Sequence, residues 1–308
     1  MSTSSPDSSF SRSFAHPRFW LTWLAIAAMY VVAWFPWRLN IAIGSGIGRL
    51  AWRFAKRRRH ITDVNIALCF PEKSAAEQRQ LVKQTFIANG IGLVETAVAW
   101  CRSPEDFRHR VACIGEENLA RAQAQGKGVL IIGVHFSPLD LGGALHSLFF
   151  TSDAVYRPHN NPLFDRFMTR ARSRVFGQMI DRHDLRGVIR RLKAGHSVWY
   201  SPDQDFGRDA SVFAPFFGQQ AATVRLTAKI ARMTGAQVVP LIFYRNPDDR
   251  TYTYEWLPAL ENYPSNDEVA DATRVNEFIE QAIRRHPEQY LWLHRRFKTR
   301  PEGEPGFY

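Results

Sequence analysis

One short stretch, residues 128–140, constrains the fold of this chain more than any other. It opens with an apolar run that predicts a buried strand. Ser137 and Pro138 then favour the start of a helix, as an N-cap and a first helical residue. The strand ends at His135. This arrangement is typical of an α/β fold, in which ligands collect at the carboxyl edge of the sheet.

The spacing between His135 and Asp140 predicts a reactive pair. On one continuous helix, five residues would turn the two side chains about 140° apart, so they can meet only if the chain bends at Ser137 and Pro138. We expect the Asp140 carboxylate to hold one imidazole nitrogen, while the other accepts a proton from a substrate hydroxyl. Two structural alternatives remain: a hydrogen-bonded core histidine, and an aspartate that belongs to a capping arrangement.

The composition narrows the class of partner. The chain has 308 residues, of which 45% are hydrophobic, enough for one large α/β domain or two small ones. Its formal net charge of +11 favours an anionic partner, either a nucleic acid, an acidic protein or a phosphorylated lipid surface. Since no helix-turn-helix, zinc or RNA-recognition motif is present, we predict no nucleic-acid binding. The histidines lack the spacing of zinc ligands, so we predict no metal site.

The N-terminal region predicts attachment to a membrane. Residues 1–17 are rich in serine and are predicted to be disordered. Residues 18–39 are apolar and aromatic, and as one helix they would approach the roughly 30 Å thickness of the hydrocarbon core. More basic residues follow this anchor than precede it, which places residues 40–308 on the cytoplasmic side. A helix lying in the membrane interface is the alternative.

Strands and helices alternate along the rest of the chain. This order predicts an α/β fold with a mixed sheet flanked by helices, parallel in its centre and carrying a C-terminal hairpin of strands 237–244 and 251–257. Three glycines between 44 and 48 predict close helix packing. A helix over 75–100 contains two further glycines that are expected to bend or split it. Another helix is predicted over 221–233.

Two further residues are candidates for the site. Asp203 follows a predicted strand at 197–200, so it shares an edge with His135 if the two strands are parallel. An aspartate that forms a turn is the alternative. In the helix predicted over 163–176, both Arg172 and Arg174 face partly inward, and the periodicity does not choose between them.

Four other stretches carry a family resemblance. The His-x₄-Asp spacing of His135 and Asp140 resembles that of the glycerolipid acyltransferase superfamily. Together with this pair, the four stretches are similar to the late acyltransferases of lipid A biosynthesis, in the lauroyl/palmitoleoyl transferase branch. These stretches are 155–162, 181–185, 198–205 and 288–303. The resemblance extends over nearly the whole chain. It departs at one point, because the best-known lauroyl members have glutamate where this chain has Asp140.

The resemblance implies a fold like that of the glycerol-phosphate acyltransferases and an enzyme of lipopolysaccharide biosynthesis. The implied reaction transfers a lauroyl or similar chain from acyl carrier protein to a hydroxyl of a Kdo2-lipid IV(A)-type precursor, at the bacterial inner membrane. His135 and Asp140 would be catalytic, while Arg172 and Asp203 would bind substrate. Acyl-acyl carrier protein would be the co-substrate, and no cofactor or metal is implied.

Two other functions remain open on the sequence. The chain could acylate another glycolipid, such as an inositol mannoside, or it could be a non-catalytic, membrane-tethered lipid-binding protein. If it transfers acyl chains, the tail needs an apolar channel. We expect the floor of that channel on the helix over 138–149 and near two aromatic residues, with the side chains of Leu145, Leu148, Phe149, Phe213 and Phe216.

Overall fold

The computed structural model describes residues 12–308. The segment predicted to be disordered therefore lies mostly outside the described residues. Its last part forms two short 3₁₀ turns, Arg12–Ala15 and Pro17–Phe19.

The described chain contains ten α-helices and nine strands. The helices are α1 (Trp20–Ala33), α2 (Trp37–Phe54), α3 (Lys56–Cys69), α4 (Ala75–Cys101), α5 (Glu116–Gln123), α6 (Leu139–His146), α7 (Pro162–Arg172), α8 (Leu185–Lys193), α9 (Leu226–Thr234) and α10 (Glu268–Arg285). The strands are β1 (Val111–Ile114), β2 (Val129–Ile132), β3 (Asp153–Tyr156), β4 (Met179–Asp181), β5 (Ser197–Tyr200), β6 (Ser211–Phe216), β7 (Gln219–Val224), β8 (Gln237–Arg245) and β9 (Tyr252–Trp256).

Seven strands form one sheet in the order β1-β9-β8-β2-β5-β3-β4. All neighbours are parallel except β8 and β9, which form the antiparallel hairpin, so the predicted mixed sheet is confirmed. The four residues of β2 are fully buried. Because side chains alternate along a strand, Leu130 and Ile132 enter one core cluster while Val129 and Ile131 enter another. Helices cover the sheet, as predicted.

The remaining two strands, β6 and β7, form a separate antiparallel hairpin. The helix predicted over 221–233 is therefore wrong in its first part, since residues up to Val224 belong to β7 and α9 begins only at Leu226. A short apolar run such as Ala221–Val224 fits a buried strand and a helix equally well. Its pairing with β6 decides the outcome.

The predicted membrane anchor over 18–39 is not one continuous helix. Helix α1 has 14 residues, which span about 21 Å at 1.5 Å per residue, against the roughly 30 Å of a hydrocarbon core. Pro36 precedes a new helix, α2, in the N-cap position. Among residues 12–308, no helix combines the length and apolarity needed to cross a membrane.

Glycines allow α2 and α4 to pack in close contact. A Cβ on Gly48 would lie 2.4 Å from the carbonyl oxygen of Phe86, and a Cβ on Gly90 would lie 2.3 Å from that of Gly44. The close helix packing predicted for the first glycine group is thus confirmed at Gly44 and Gly48. Helix α4 continues unbroken from residue 75 to 101, so Gly90 and Gly92 permit close contacts rather than split the helix.

We expect Gly48→Ala to destabilise the protein while Gly46→Ala does not. The added methyl group at position 48 meets backbone atoms, and overpacking of this kind costs about 1–3 kcal/mol. Gly46 is the matched control because nothing lies within 4 Å of its added Cβ, and an exposed helical glycine replaced by alanine gains about 0.5–1 kcal/mol. Denaturant unfolding of both variants measures the difference. Equal stabilities would contradict the close contact.

Candidate active site

The loop that follows β2 carries His135 and is held by backbone hydrogen bonds from two other parts of the chain. Gly133 N–H donates to the Tyr200 carbonyl (3.0 Å), Ser137 N–H to the Gln289 carbonyl (2.7 Å), and Leu291 N–H to the His135 carbonyl (3.1 Å). The segment 289–291, which belongs to the stretch 288–303, therefore forms two backbone hydrogen bonds with the loop. The position of His135 depends on residues far from it in the sequence.

Asp203 is the carboxylate that holds His135. Its Oδ2 accepts the backbone N–H of His135 at 2.8 Å, and its Oδ1 is in short hydrogen-bond contact with Nδ1 of the imidazole. The two residues meet because β2 and β5 are adjacent parallel strands whose carboxyl ends lie at one edge. Tyr290 supports this arrangement, since its hydroxyl donates to the backbone carbonyl of Asp203 at 3.1 Å.

The environment of Asp203 favours its ionised form. Its burial, at 1% exposure, would raise the pKa of the carboxyl group. The charge of His135 and its hydrogen bonds outweigh burial, so that the pKa of Asp203 lies below its usual value. A carboxylate bonded to Nδ1 fixes the tautomer of the imidazole, and Nε2 becomes the nitrogen that remains for a substrate. His135 itself is 22% exposed.

Asp140 does not hold His135 in this structure, which corrects the pairing predicted from the sequence. Its Oδ1 accepts instead from Arg172, at 2.9 Å from Nε and 2.8 Å from the terminal nitrogen, and from the indole N–H of Trp100 at 3.0 Å. Asp140 lies in the first turn of α6, where its side chain contacts Trp100 of α4 and Arg172 of α7. The structure also separates the two candidate arginines: Arg172 lines the cavity described below, whereas Arg174 donates to the backbone carbonyl of Trp100.

The predicted N-cap of α6 is also corrected. Pro138, not Ser137, occupies the N-cap position, and no side chain caps the helix. The Ser137 hydroxyl is buried and has no hydrogen-bond partner in the described part of the chain. Its backbone passes so close to α4 that a Cβ on Gly92 would lie 2.5 Å from the Ser137 carbonyl oxygen. The bend after His135 is therefore fixed by backbone packing.

A cavity of about 370 Å³ opens beside His135, within the usual size range of ligand pockets. Its polar lining includes His135, Asp140, Arg157, Arg172 and Gln204, and its walls come from α4, α6, α7 and the sheet. Apolar and aromatic side chains line most of it, among them Trp100, Leu139, Met168, Val175, Phe176, Trp199, Leu241 and Phe243.

The cavity extends along one face of α6. Leu139, Gly142, Gly143 and His146 line it, a spacing of three and four residues that places them on one side of the helix. At 1.5 Å per residue, His146 lies about 10 Å further along α6 than Leu139. Burial lowers the pKa of His146 to about 4, so it is neutral at physiological pH. Its Nε2 is hydrogen-bonded to the Ser152 hydroxyl at 2.9 Å.

The side chains predicted to form the floor of an acyl channel lie elsewhere. None of the five lines this cavity, although α6 itself does. Leu145 is buried in the core, on the opposite side of α6 from Gly143. Leu148 lines a second cavity, of about 390 Å³. Within residues 12–308, no group of three or more His, Cys, Asp or Glu side chains is arranged to hold a metal ion.

Comparison with known proteins decides the family. The model of the bacterial lipid A biosynthesis acyltransferases matches residues 8–299. This chain belongs to that family. It is 44% identical to the lipid A biosynthesis lauroyltransferase of Escherichia coli K12, over 97% of this chain and 98% of the relative. It is 42% identical to the palmitoleoyltransferase of the same organism (98% and 99%) and 31% identical to the myristoyltransferase (96% and 92%).

The resemblance noted in the motifs is thus confirmed, and the protein is an acyltransferase. Among solved structures, the 1-acyl-sn-glycerophosphate acyltransferase PlsC of Thermotoga maritima matches with 14% identity and a TM-score of 0.37, over 77% of this chain and 98% of that one. A similarity this low supports no argument. The likeness to the glycerol-phosphate acyltransferase fold therefore stays a prediction.

Three of the four predicted site residues of this lipid A acyltransferase line the cavity, namely His135, Asp140 and Arg172. The fourth, Asp203, does not line it but is hydrogen-bonded to the backbone and the imidazole of His135. Trp100 and Tyr290 were not predicted to belong to the site. Trp100 donates a hydrogen bond to the Asp140 carboxylate, and Tyr290 donates one to the backbone carbonyl of Asp203. Tyr290 lies in the stretch 288–303, whose family resemblance was the one sequence feature that could have indicated it. Trp100 is one of several tryptophans in apolar helices, and the sequence alone does not distinguish it from a core residue.

Proposed function

We propose that this protein transfers a fatty acyl chain, lauroyl or similar, from acyl carrier protein to a hydroxyl of a Kdo2-lipid IV(A)-type precursor of lipid A. One observation carries the proposal: His135 has one nitrogen held by a buried carboxylate and lines a cavity that also contains Asp140, Arg172 and many apolar and aromatic side chains. The names of the relatives supply the substrate class. Acyl-acyl carrier protein is the co-substrate, and the reaction needs no cofactor or metal.

The proposed reaction is a direct transfer within a ternary complex. Nε2 of His135 accepts the proton of the acceptor hydroxyl as its oxygen attacks the thioester carbonyl carbon. The tetrahedral intermediate then collapses, the carbon–sulfur bond breaks, and the thiolate takes the proton from His135. Asp203 stabilises the imidazolium that forms between these two steps, in the way that the carboxylate of a catalytic triad acts on its histidine.

Arg172 is proposed to stabilise the negative charge that develops on the carbonyl oxygen. Its guanidinium is held by Asp140 and lies 5.7 Å from the centre of the Trp100 ring, so it is positioned before substrate arrives. Asp140 is thus proposed to act on the reaction through Arg172. This role differs from that expected from the His-x₄-Asp spacing, but it keeps the same residues in the site.

Transfer assays with purified protein test the function directly. We expect labelled lauroyl chains to pass from acyl carrier protein to the lipid A precursor. Mass spectrometry of lipid A from cells with and without the protein should then show one acyl chain gained. Transfer to an inositol mannoside but not to the lipid A precursor would indicate the other glycolipid class, and absence of transfer to either would favour a non-catalytic lipid-binding protein.

The cavity along α6 is proposed to hold the acyl tail, and it predicts how chain length is selected. Gly143→Leu should move the optimum to shorter chains, because the new side chain would occupy part of the cavity beside Phe176. An added Cβ would lie 3.0 Å from the Phe176 ring, so this ring must shift slightly. Shortening or lengthening the tail by two carbons should change the preference by about 1–3 kcal/mol at most, so neighbouring lengths should remain substrates. Leu148→Trp is the matched control, since Leu148 does not line the cavity.

Competition between acyl carrier proteins loaded with ten-, twelve-, fourteen- and sixteen-carbon chains measures the preference. An unchanged optimum in Gly143→Leu, with transfer still measurable, would place the length-determining surface elsewhere. A shift in Leu148→Trp would point instead to the channel floor first expected from the sequence.

We also propose that α1 and α2 bind the surface of the inner membrane on its cytoplasmic face. Large apolar side chains are exposed on both helices: Trp20, Leu21, Leu24, Val31 and Trp34 in and directly after α1, and Leu39, Ile47, Leu50 and Phe54 on α2. Arg38, Arg49 and Arg53 lie beside them, also exposed. An apolar face bordered by arginines is typical of helices that lie in the interface of anionic bilayers.

The variant Leu21→Glu/Phe54→Glu should bind vesicles of anionic lipid much more weakly than the wild type. It places charge on an apolar face that would otherwise enter the bilayer. Val269→Glu is the matched control, because Val269 is an exposed apolar residue on α10, outside this face. Co-sedimentation with vesicles at several salt concentrations measures binding. Equal binding by all three proteins would show that this face does not meet the membrane.

A further inference from the structure

The carboxyl ends of β3 and β4 carry two arginines to which no role has been assigned so far. Tyr156 of β3 is in register with Asp181 of β4, and the N–H of Arg182 donates to the Tyr156 carbonyl at 2.9 Å. Arg157 and Arg182 therefore occupy equivalent positions on adjacent parallel strands, which lie about 4.8 Å apart. Both lie within motifs of the sequence, 155–162 and 181–185, that the proposed chemistry does not use.

Neither arginine is neutralised by a carboxylate. Arg157 is exposed and has no hydrogen-bond or ion-pair partner in the described part of the chain. Arg182 is also exposed, and its Nε contacts only the imidazole of His183, at 3.1 Å. The nearby carboxylates are engaged with backbone N–H groups: Asp181 accepts from His183 and Asp165 accepts from His159, at 2.8 and 2.6 Å. Two guanidinium groups, on adjacent backbone positions, thus remain available for an anion.

Their place in the sheet connects them to the reaction. Arg157 lines the same cavity as His135 and Arg172. Arg172 cannot serve an external anion in the same way, because Asp140 already occupies its Nε and one terminal nitrogen. An anion held by Arg157 would therefore lie at the edge of the sheet where the acceptor hydroxyl and the thioester must meet.

We propose that Arg157 and Arg182 form a binding subsite for a phosphate group of a substrate. Planar guanidinium groups pair with phosphate oxygens through two parallel N–H bonds, an arrangement that a single lysine cannot reproduce. The proposal rests on the proposed function, because that function supplies two sources of phosphate. One is a phosphate on the sugar of the acceptor lipid, and the other is the phosphodiester of the pantetheine arm that carries the acyl chain.

Kinetics with matched substrates test this subsite and identify the source. The acceptor is supplied with and without its phosphates, and the donor as acyl-phosphopantetheine or acyl-pantetheine. We expect the wild type to prefer one phosphorylated form by about 10- to 100-fold in kcat/KM, the value of one or two charge-assisted hydrogen bonds. In Arg157→Gln and Arg182→Gln this preference should fall severalfold through a higher KM, while the pH profile of kcat stays unchanged. Arg157→Lys should recover only part of it.

Arg121→Gln is the control, because Arg121 is exposed on α5 and outside the cavity. It should retain the wild-type preference. If the Gln variants lose the preference for the phosphorylated acceptor, the phosphate belongs to the acceptor. If they lose the preference for acyl-phosphopantetheine, it belongs to the donor. Unaltered discrimination against both dephosphorylated substrates in the Gln variants would overturn the subsite. Calorimetric binding of the phosphorylated acceptor provides the same comparison without transfer. If the protein made no product, the proposed function would be wrong, but the binding measurement would still test the subsite.

Discussion

Replacing His135 with alanine is expected to lower the rate of acyl transfer by about 10²–10⁴-fold, the usual contribution of a general base. In the proposed reaction, His135 takes the proton from the acceptor hydroxyl and returns it to the leaving thiol. The variant should still fold, because the side chain of His135 lines a cavity and its backbone hydrogen bonds do not depend on the imidazole. We expect it to be less stable than the wild type, since the buried Asp203 loses the imidazole that favours its ionised form. Single-turnover assays at saturating substrate measure the chemical step.

Two controls make the His135→Ala result interpretable. The variant should remain folded at the assay temperature, with an unfolding midpoint below that of the wild type, and its vesicle binding should match that of the wild type. These measurements separate loss of chemistry from loss of structure. Replacement of the buried His146, which lies at the other end of α6 from Leu139, should leave the pH dependence of the rate unchanged. Near-normal transfer by a folded His135→Ala protein would remove this residue from the mechanism.

Asp203→Asn is expected to be almost as damaging, with a loss of up to about 10⁴-fold, as is known for the corresponding change in a catalytic triad. The amide cannot stabilise the imidazolium, and it no longer requires Nδ1 to carry the proton. The pH profile of the remaining activity should therefore shift to lower pH, because His135 becomes a weaker base. Asp140→Asn, which acts through Arg172, should reduce the rate without this shift.

The double variant His135→Ala/Asp203→Asn gives the sharpest test of the pair. Residues that act as a unit lose their effects together, so the double variant should be no slower than His135→Ala. If the loss of rate in the double variant equalled the product of the two single losses, Asp203 would act independently of the imidazole. If Asp140→Asn instead gave the pH shift and Asp203→Asn did not, the pairing predicted from the sequence would be right in solution.

Stability should follow pH in a direction that the pKa of Asp203 determines. Its folded value lies below the usual one. The stabilisation from its ionised form is therefore present above the unfolded value of about 3.9, and is lost as the pH falls through the folded value. The difference in unfolding free energy between wild type and Asp203→Asn should accordingly shrink under acid conditions.

Local sequence determined the elements that carry the site. The apolar run of β2, the helical spacing of α6 and the strand before Asp203 all depend on interactions between neighbours, and each was predicted close to its observed bounds. The break at Pro36 was not part of the predicted anchor, because a short helix that ends at a proline still has the composition of a membrane segment.

The partners of the polar groups were decided only by the tertiary structure. The sequence places Asp140 five residues from His135 and Asp203 sixty-eight residues away, so a local argument favours the nearer carboxylate. The sheet reverses this preference, because the order of its strands places β5 directly beside β2 and brings Asp203 to Nδ1. Asp140 is left to Arg172 and Trp100, on helices whose packing around α6 no local pattern encodes.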